Sequence, residues 1–294
     1  MRFVTDGGIE TDLIFNRGVD LPAFSAYPLL DSASGRTVLM EYYMAYVEIA
    51  GEAGAALLLE TPTWMANADR AAPLGYDAVA LTRVNTDAVD FLRQVGRASG
   101  LAAWEVGGIV GPRGDGYQTS GPIDPDQAAD YHRPQLAAFA AAGADRASAL
   151  TLNEVGEAIG IARAASDLGL PVAIGFTVET DGRLLNGTSL AEAITAVDAV
   201  ARPAHFLINC AHPTHILKGF EPGPWQERVG GLRVNASTMS HAELDESEVL
   251  DAGDPAQLAV DQRPLLDMFT NLEVLGGCCG TDARHVAAMW KESR

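Results

Sequence analysis

The feature that most constrains the fold is a regular alternation of apolar, β-type runs with segments of helical periodicity along the 294 residues. Such an alternation is typical of parallel βα units, in which a helix returns the chain to the start of the next strand. The eight β-type runs occupy residues 3–4, 56–59, 102–110, 147–150, 172–176, 206–208, 231–234 and 272–275. Eight strands with intervening helices and no linker predict an α/β fold, a single (β/α)8 TIM barrel that forms one domain over residues 1–294.

Helix boundaries are marked by capping and stop signals. Asp124 is followed by Pro125 at the first helical position, and Ser189 and Ser240 each stand three residues before a glutamate, the spacing of a capping box. Gly169 lies just before the fifth β-type run and is typical of a helix stop. We therefore predict helices that begin after these caps and one that ends before the fifth strand.

An apolar stripe lies between the first two predicted strands. Its members recur at helical spacing: Leu39, Tyr42, Tyr43, Tyr46, Ile49, Ala50 and Ala53. We predict that this face of a helix packs inward as core and does not bind a cofactor.

Polar residues and cysteines stand at the ends of most predicted strands, where a barrel of this kind carries its chemistry. They are Asp6, Glu60, Thr63, Thr177, Asn209, Cys210, Asn235, Cys278 and Cys279. Each residue taken alone is better explained as a capping or loop residue. Their joint placement at strand ends predicts one functional rim.

The three cysteines of the chain are Cys210, Cys278 and Cys279. Adjacent cysteines rarely form a disulfide with each other, but two thiolates on a glycine-rich turn can face one metal ion. Because strands six and eight are close in a closed barrel, Cys210 can reach the adjacent pair. We predict a three-thiolate Zn²⁺ site whose fourth tetrahedral position stays open, as in catalytic zinc sites.

Two alternatives to this ligand set remain open from the sequence. Each cysteine taken alone also fits the description of a buried small hydrophobic residue, since free cysteine is among the most buried residue types, but the placement of all three at strand ends favours the metal site. His212 and His215 follow Cys210 closely and offer additional ligands, although their position favours a loop or a helix start.

The charge composition of the chain limits the classes of partner that we expect it to bind. The chain has 39 Asp+Glu against 20 Lys+Arg and a net charge of -19, which argues against nucleic acid or an anionic membrane surface as partner. No apolar run approaches membrane-spanning length and no export signal precedes the first strand, so we expect a cytoplasmic protein with reduced thiols. Both a monomer and a homo-oligomer remain open.

Other barrel chemistries fit less well. A Schiff-base aldolase needs a lysine at a strand end, but Lys218 and Lys291, the only lysines, are not so placed. A phosphate site would use the glycines after strand eight but has no use for paired cysteines. The loop at residues 111–116 is rich in glycine but lacks the dinucleotide-binding spacing, and we expect it on the rim.

Five motifs resemble those of the homocysteine S-methyltransferase family over nearly the whole chain. They are Asp6-Gly7-Gly8-Ile9-Glu10-Thr11, Glu60-Thr61-Pro62-Thr63, Gly111-Pro112, Asn209-Cys210 and Gly276-Gly277-Cys278-Cys279-Gly280. The resemblance implies a zinc-dependent barrel that methylates a thiol such as homocysteine and so forms methionine. It implies that Cys210, Cys278 and Cys279 bind zinc and that Asp6 helps to hold the amino group of the thiol substrate.

The rim residues that join Asp6 as predicted substrate contacts are Gly7, Glu60, Thr63, Asn209 and Asn235. The chain departs from the family pattern at strand four, where Leu150, followed by Thr151, stands at the position of a family glutamate that anchors the same amino group; Glu154 lies nearby in the sequence. The departure predicts that homocysteine is a poor acceptor compared with a thiol that lacks the ammonium group or carries it elsewhere.

The expected reaction needs few further groups. A thiol with a pKa of about 8.5 is mostly protonated at neutral pH, and zinc coordination would deprotonate it. The donor would be a small sulfonium or ammonium compound, because the chain shows no additional folate or cobalamin domain, and Trp64 or Tyr117 would contact its positive charge. The alternatives are methylation of a different small thiol and a non-catalytic zinc- or thiol-binding barrel.

Overall fold

Eight parallel strands close into a barrel in chain order in the computed structural model, which describes residues 2–114, 116–117, 121–247 and 249–293. The strands are β1 Phe3–Val4, β2 Ala56–Glu60, β3 Trp104–Val110, β4 Arg146–Leu152, β5 Val172–Phe176, β6 His205–Asn209, β7 Val229–Val234 and β8 Val274–Gly277. The closing pair is β1 with β8, in which Val4 lies opposite Leu275. The predicted (β/α)8 TIM barrel is confirmed.

Helices connect the strands throughout the described part of the chain. The α-helices are α1 Ile9–Thr11, α2 Ala33–Ala53, α3 Ala68–Ala71, α4 Ala78–Ala98, α5 Pro125–Ala141, α6 Val155–Asp167, α7 Leu190–Val200, α8 Pro213–Lys218, α9 His241–Asp245, α10 Pro255–Met268 and α11 Ala283–Glu292. Short 3₁₀ segments lie at Pro22–Phe24, Tyr27–Asp31, Ala72–Leu74 and Pro224–Arg228, and a π-helical turn covers Asp12–Asn16. None of these helices is long and apolar enough to cross a membrane.

Several strand boundaries differ from the predicted ones, although β1 and β5 match. Glu60 and Asn209 are the last residues of β2 and β6, not residues that follow those strands. The eighth strand was placed two residues too early, because the parallel pairing with β7 continues through Gly276 and Gly277. Strand pairing decides these ends, and hydrophobicity alone does not report it. Asp115 of the predicted rim loop lies outside the described residues.

The helix signals are confirmed. The Asp124 carboxylate accepts hydrogen bonds from the first-turn backbone amides of α5, and complete capping boxes stand at Ser189 and Ser240. Helix α6 ends at Asp167, and Gly169 has a φ of +67°, a left-handed conformation that glycine adopts without strain.

The core has two layers. The larger layer packs the helices against the outside of the barrel, and the inward face of α2 belongs to it, as predicted. The smaller layer fills the barrel interior with Phe3, Ala56, Leu58, Ile109, Leu150, Ala173, Leu207 and Val274. The interior is therefore packed, and open space is found at the C-terminal ends of the strands.

We predict that Ser189→Ala lowers the free energy of unfolding by about 1 kcal/mol, because α7 loses its capping box. Urea unfolding followed by circular dichroism measures the difference. Ser166→Ala, at an exposed position of α6, is the matched control and should change stability by less than about 0.5 kcal/mol. Equal stability of the two variants would contradict the role of the cap.

Candidate metal centre and substrate cavity

The three cysteines converge at the C-terminal rim of the barrel. Cys210 directly follows β6, and Cys278 and Cys279 directly follow β8. Their sulfur atoms all lie within 4.8 Å of one another, and the Sγ atoms of Cys210 and Cys279 are 3.6 Å apart. Within the described residues this is the one cluster of three or more histidine, cysteine or acidic side chains placed to hold a metal ion.

Backbone hydrogen bonds fix both cysteine segments. The amide of Cys210 donates to the carbonyl of Arg233 at 3.0 Å, and the amide of Cys278 donates to the carbonyl of Val234 at 2.8 Å. Cys210 has a φ of +55°, an uncommon conformation for a residue with a side chain, and the Thr177 hydroxyl donates to its carbonyl at 3.0 Å. Strand β7 thus sets the separation of the two segments.

The glycines around the cysteine pair are a steric requirement. A Cβ atom on Gly277 would overlap the side chain of Thr281, and a Cβ atom on Gly8 would lie 2.6 Å from the carbonyl oxygen of Cys278. Gly280 has a φ of +77°. The chain therefore turns sharply after β8 and presents both sulfurs on one side.

The three cysteine side chains shift one another's pKa values. Hydrogen bonds from Cys278 and Cys279 lower the pKa of Cys210 well below its usual range, whereas the same interactions raise the pKa values of Cys278 and Cys279. The opposite directions of these pKa shifts arise because the three sulfurs lie close enough to share protons. A divalent soft metal ion would replace the shared protons, so the donor set fits Zn²⁺.

Tyr117 and His241 contact the cysteine cluster and were not predicted to do so. The hydroxyl of Tyr117 lies 3.0 Å from the sulfur of Cys210, and its ring centroid lies 4.4 Å from that of His241. His241 donates from Nε2 to the carbonyl of Cys210 at 2.8 Å and pairs through Nδ1 with Glu179 at 2.6 Å. Burial lowers the pKa of His241, but its interactions with Cys210 and Glu179 prevail and raise it to about 10.

The two histidines weighed as additional ligands are engaged elsewhere. His212 caps α8 and its Nδ1 lies 2.8 Å from the Thr214 hydroxyl, while Nε2 of His215 lies 3.0 Å from the carbonyl of Thr238. Both occupy the helix start that the sequence favoured.

A cavity of about 630 Å³ opens above the cysteines. Its apolar side chains are Ile9, Phe15, Phe24, Trp64, Met65, Ile109, Leu150, Leu244, Val249 and Leu250. Its titratable groups, besides the cysteines, are Asp6, Glu10, Arg70, Tyr117, Arg233, His241 and Asp251. Trp64 and Tyr117, the aromatic residues considered for the methyl donor, are both in its wall.

The predicted substrate residues divide into two groups. Asp6, Gly7 and Asn235 line the cavity, whereas Glu60, Thr63 and Asn209 are buried and do not line it.

Two of the buried residues have clear structural partners. The hydroxyl of Thr63 donates to the carbonyl of Ile109 at 2.8 Å. The side chain of Asn209 accepts from the amide of Thr151 at 2.9 Å and donates to its hydroxyl at 2.9 Å. These bonds hold Thr151 at a φ of +65°, so Asn209 shapes the cavity wall from behind.

Arg233 is the main residue of the site that the sequence did not reveal. It belongs to β7, is 4% exposed, and forms ion pairs with Asp6, at 2.6 Å, and with Glu60. Burial opposes its charge, but Asp6 and Glu60 outweigh burial and raise the pKa of the guanidinium. The hydroxyl of Tyr42, from the stripe predicted as core, donates to the other oxygen of Asp6 at 3.1 Å.

The strand-four departure is visible in the structure. Leu150 lines the cavity, and Trp64 donates from its indole nitrogen to the Leu150 carbonyl at 3.3 Å. Glu154 occupies the N-cap position of α6 without a capping side-chain bond, and it accepts a hydrogen bond from Asn186 at 3.3 Å. It does not line the cavity. No carboxylate from this part of the chain replaces the absent glutamate in the described cavity wall.

The fold and the site together define a (β/α)8 barrel with a cluster of three thiols at its C-terminal rim. A family model described as homocysteine S-methyltransferase matches residues 3–293, and the chain belongs to this family. It is therefore a methyltransferase whose reaction is methyl transfer to a thiol.

Solved structures with the same fold include homocysteine methyltransferase MmuM from Escherichia coli. Its oxidised form is 22% identical, with a TM-score of 0.75 and coverage of 98% of this chain and 94% of that chain. Its metallated form is 21% identical, with a TM-score of 0.73 and coverage of 99% and 96%. Comparison with curated protein sequences gave no match.

Glu10 is expected to make the stability of the protein depend on pH. It lines the cavity, and burial raises its pKa from 4.5 to about 7, so the folded protein keeps a proton that the unfolded chain releases. The free energy of unfolding therefore contains a penalty that is absent below pH 4.5 and grows as the pH rises to about 7.

We predict that Glu10→Gln removes this penalty. The variant should match the wild type near pH 4.5 and exceed its stability by about 1–3 kcal/mol at and above pH 7, as measured by urea unfolding over this range. Glu48→Gln, on the exposed side of α2, controls for the loss of a carboxylate. A constant difference between Glu10→Gln and the wild type at every pH would contradict the prediction.

Proposed function

We propose that the protein is a zinc-dependent S-methyltransferase that moves a methyl group from a small sulfonium or ammonium donor to a small thiol. The observation that carries the proposal is the convergence of three cysteine sulfurs within 4.8 Å at the base of the cavity. Zinc is the metal that this donor set fits best, and E. coli MmuM, of the same fold, has a metallated form.

Cys210, Cys278 and Cys279 would hold the metal. Zn²⁺ at this position would keep the acceptor sulfur in its thiolate form at neutral pH and leave it electron-rich, because three thiolate ligands give the site a net charge of about -1. The ligands come from two segments that β7 holds in register, so they need little rearrangement on binding.

The remaining residues orient the reactants and their charges. Tyr117 contacts the sulfur of Cys210, and His241 binds its carbonyl, so both support the position of this proposed ligand. Trp64, together with Phe15, offers aromatic faces to the positive charge of a donor, an attraction of about 0.5–2 kcal/mol.

The transfer needs no oxidant, and the proton of the acceptor thiol would pass to solvent when the thiol becomes a thiolate at the metal. A carbon–sulfur bond forms between the acceptor and the methyl group, and the methyl bond of the donor breaks. Its electron pair stays on the departing atom, so a sulfonium leaves as a thioether and an ammonium as a tertiary amine. With homocysteine as acceptor the product would be methionine.

The chemistry of the proposed ligands supports a proposal about the compartment in which the protein works. All three cysteines are free, and the proposed ligands must stay reduced to bind zinc. We therefore propose a reducing compartment such as the cytoplasm.

We predict about one zinc ion per chain in protein purified without chelator, because the three sulfurs form one open tetrahedral site. Elemental analysis of the purified protein measures it. Metal content far below this level that added zinc does not restore would contradict the ligand assignment.

We predict that Cys210→Ala, Cys278→Ser and Cys279→Ser each lose zinc and reduce methyl transfer at least about 100-fold, while the barrel stays folded. Metal content, circular dichroism and activity are measured on the same samples. Val200→Ala, at an exposed position of α7, is the control and should keep both zinc and activity. Unfolding of the cysteine variants at room temperature would show that the cysteines are structural.

The activity is tested directly by supplying a thiol with S-methylmethionine or S-adenosylmethionine and detecting the methylated thiol. Product formation that depends on bound zinc supports the enzyme. A zinc-loaded protein that binds thiols but forms no product with either donor would favour the non-catalytic thiol-binding barrel.

A further inference from the structure

We propose that Arg233 occupies the place of an acceptor ammonium group, so that the enzyme methylates small thiols that carry no amino group near the sulfur. The inference rests on the proposed function and specifies its acceptor class. Asp6 is the residue expected to hold an ammonium group, and in this structure it pairs with Arg233.

The guanidinium of Arg233 uses nearly all of its donors on the protein. Nη2 donates to Asp6 at 2.6 Å and to the carbonyl of Gly7 at 3.2 Å, Nη1 donates to Glu60, and Nε donates to the carbonyl of Gly277 at 3.1 Å. Five N–H groups are the full capacity of an arginine side chain. Arg233 is thus a fixed internal cation and has little capacity left for a substrate carboxylate.

Asp6 and Glu60 are correspondingly engaged. Both oxygens of Asp6 have partners, since Arg233 binds one and Tyr42 the other. Glu60 does not line the cavity. Its Oε1 atom has no hydrogen-bond partner but is buried against β3, because a Cβ atom added to Gly107 would lie 3.6 Å from it. A substrate ammonium at Asp6 would therefore lie beside a guanidinium that already neutralises this carboxylate, and Glu60 is not accessible from the cavity.

The opposite wall offers no replacement. Leu150 stands where the family glutamate is expected, and Ile109 and Trp64 pack beside it to form an apolar surface. An ammonium group placed against this wall would lose its hydration without gaining a counter-charge. A hydrocarbon chain attached to the acceptor sulfur would bury apolar area at the same place.

Glu10 and Asp251 are the other carboxylates in the described cavity wall. The oxygens of Asp251 accept from Ser237 at 2.6 Å and from the amide of Gly253 at 3.1 Å. Glu10 is the rival position for an ammonium group, and the experiment therefore includes a Glu10 variant.

The experiment uses four thiols that differ only in their charged groups, supplied to the zinc-loaded protein with one methyl donor. Homocysteine carries both charges, aminopropanethiol carries the ammonium alone, γ-mercaptobutyrate carries the carboxylate alone, and propanethiol carries neither. We expect kcat/KM for propanethiol to exceed that for aminopropanethiol on the order of 30-fold or more. If kcat/KM for homocysteine and aminopropanethiol equals or exceeds that for propanethiol, the inference is overturned but the proposed function is not.

One matched pair of variants and two single variants locate the residues responsible for the preference. Leu150→Glu restores a carboxylate to the apolar wall and should raise the use of aminopropanethiol relative to propanethiol by about tenfold, whereas the isosteric Leu150→Gln should not. Arg233→Met frees Asp6 and should shift the preference in the same direction if the variant folds. If the wild type methylates aminopropanethiol efficiently and Glu10→Gln does not, the ammonium group binds at Glu10 and the inference is overturned.

Direct thiol binding separates this inference from the proposed function. Co²⁺-loaded protein reports each thiol through the sulfur-to-metal absorption band. Binding of propanethiol in preference to aminopropanethiol supports the inference even if turnover is slow. Binding of none of the four thiols would overturn the proposed function and the inference with it.

Discussion

The site depends on the closure of the barrel, which brings the C-terminal ends of β6 and β8 to either side of β7. The amides of Cys210 and Cys278 bond to consecutive carbonyls of β7, those of Arg233 and Val234, so one strand spaces both cysteine segments. Three sulfurs within 4.8 Å follow from this pairing. Because the separation is set by backbone bonds, the cluster needs little side-chain ordering to receive a metal, and less conformational entropy is lost on binding.

The second constraint is charge balance at the mouth of the barrel. Asp6 and Glu60 are almost fully buried, and unpaired carboxylates at such depth would be strongly unfavourable. Arg233, from the same strand that spaces the cysteines, supplies the compensating charge. In an enzyme that binds an amino-acid thiol, the substrate would provide that charge. Here Arg233 provides that charge, and Leu150 makes the facing wall of the cavity apolar. The buried ion pairs of Arg233 and the apolar side chain of Leu150 support the same proposed acceptor class.

The sequence predicted the features that depend on local periodicity and on strand ends. Eight apolar runs, the caps at Asp124, Ser189 and Ser240, and the convergence of the cysteines all follow from patterns that a single sequence carries. Arg233 was missed because β7 is a short apolar run whose alternation does not show which residue faces inward. The contact of Tyr117 with His241 was missed because it joins a turn to the first residue of α9, which lies far away in the sequence. Glu60 and Asn209 were placed on the open rim because their strands run one residue longer than hydrophobicity indicates.

The central claim is that three cysteines hold a zinc ion with one position left for the acceptor sulfur. X-ray absorption at the zinc edge of the purified protein, before and after addition of an accepted thiol, tests it most directly. We predict three sulfur neighbours at about 2.3 Å and one lighter atom in the resting protein, and four sulfur neighbours when the thiol is present. Fewer than three sulfur neighbours in the resting protein, or a zinc environment that the thiol leaves unchanged, would contradict the claim.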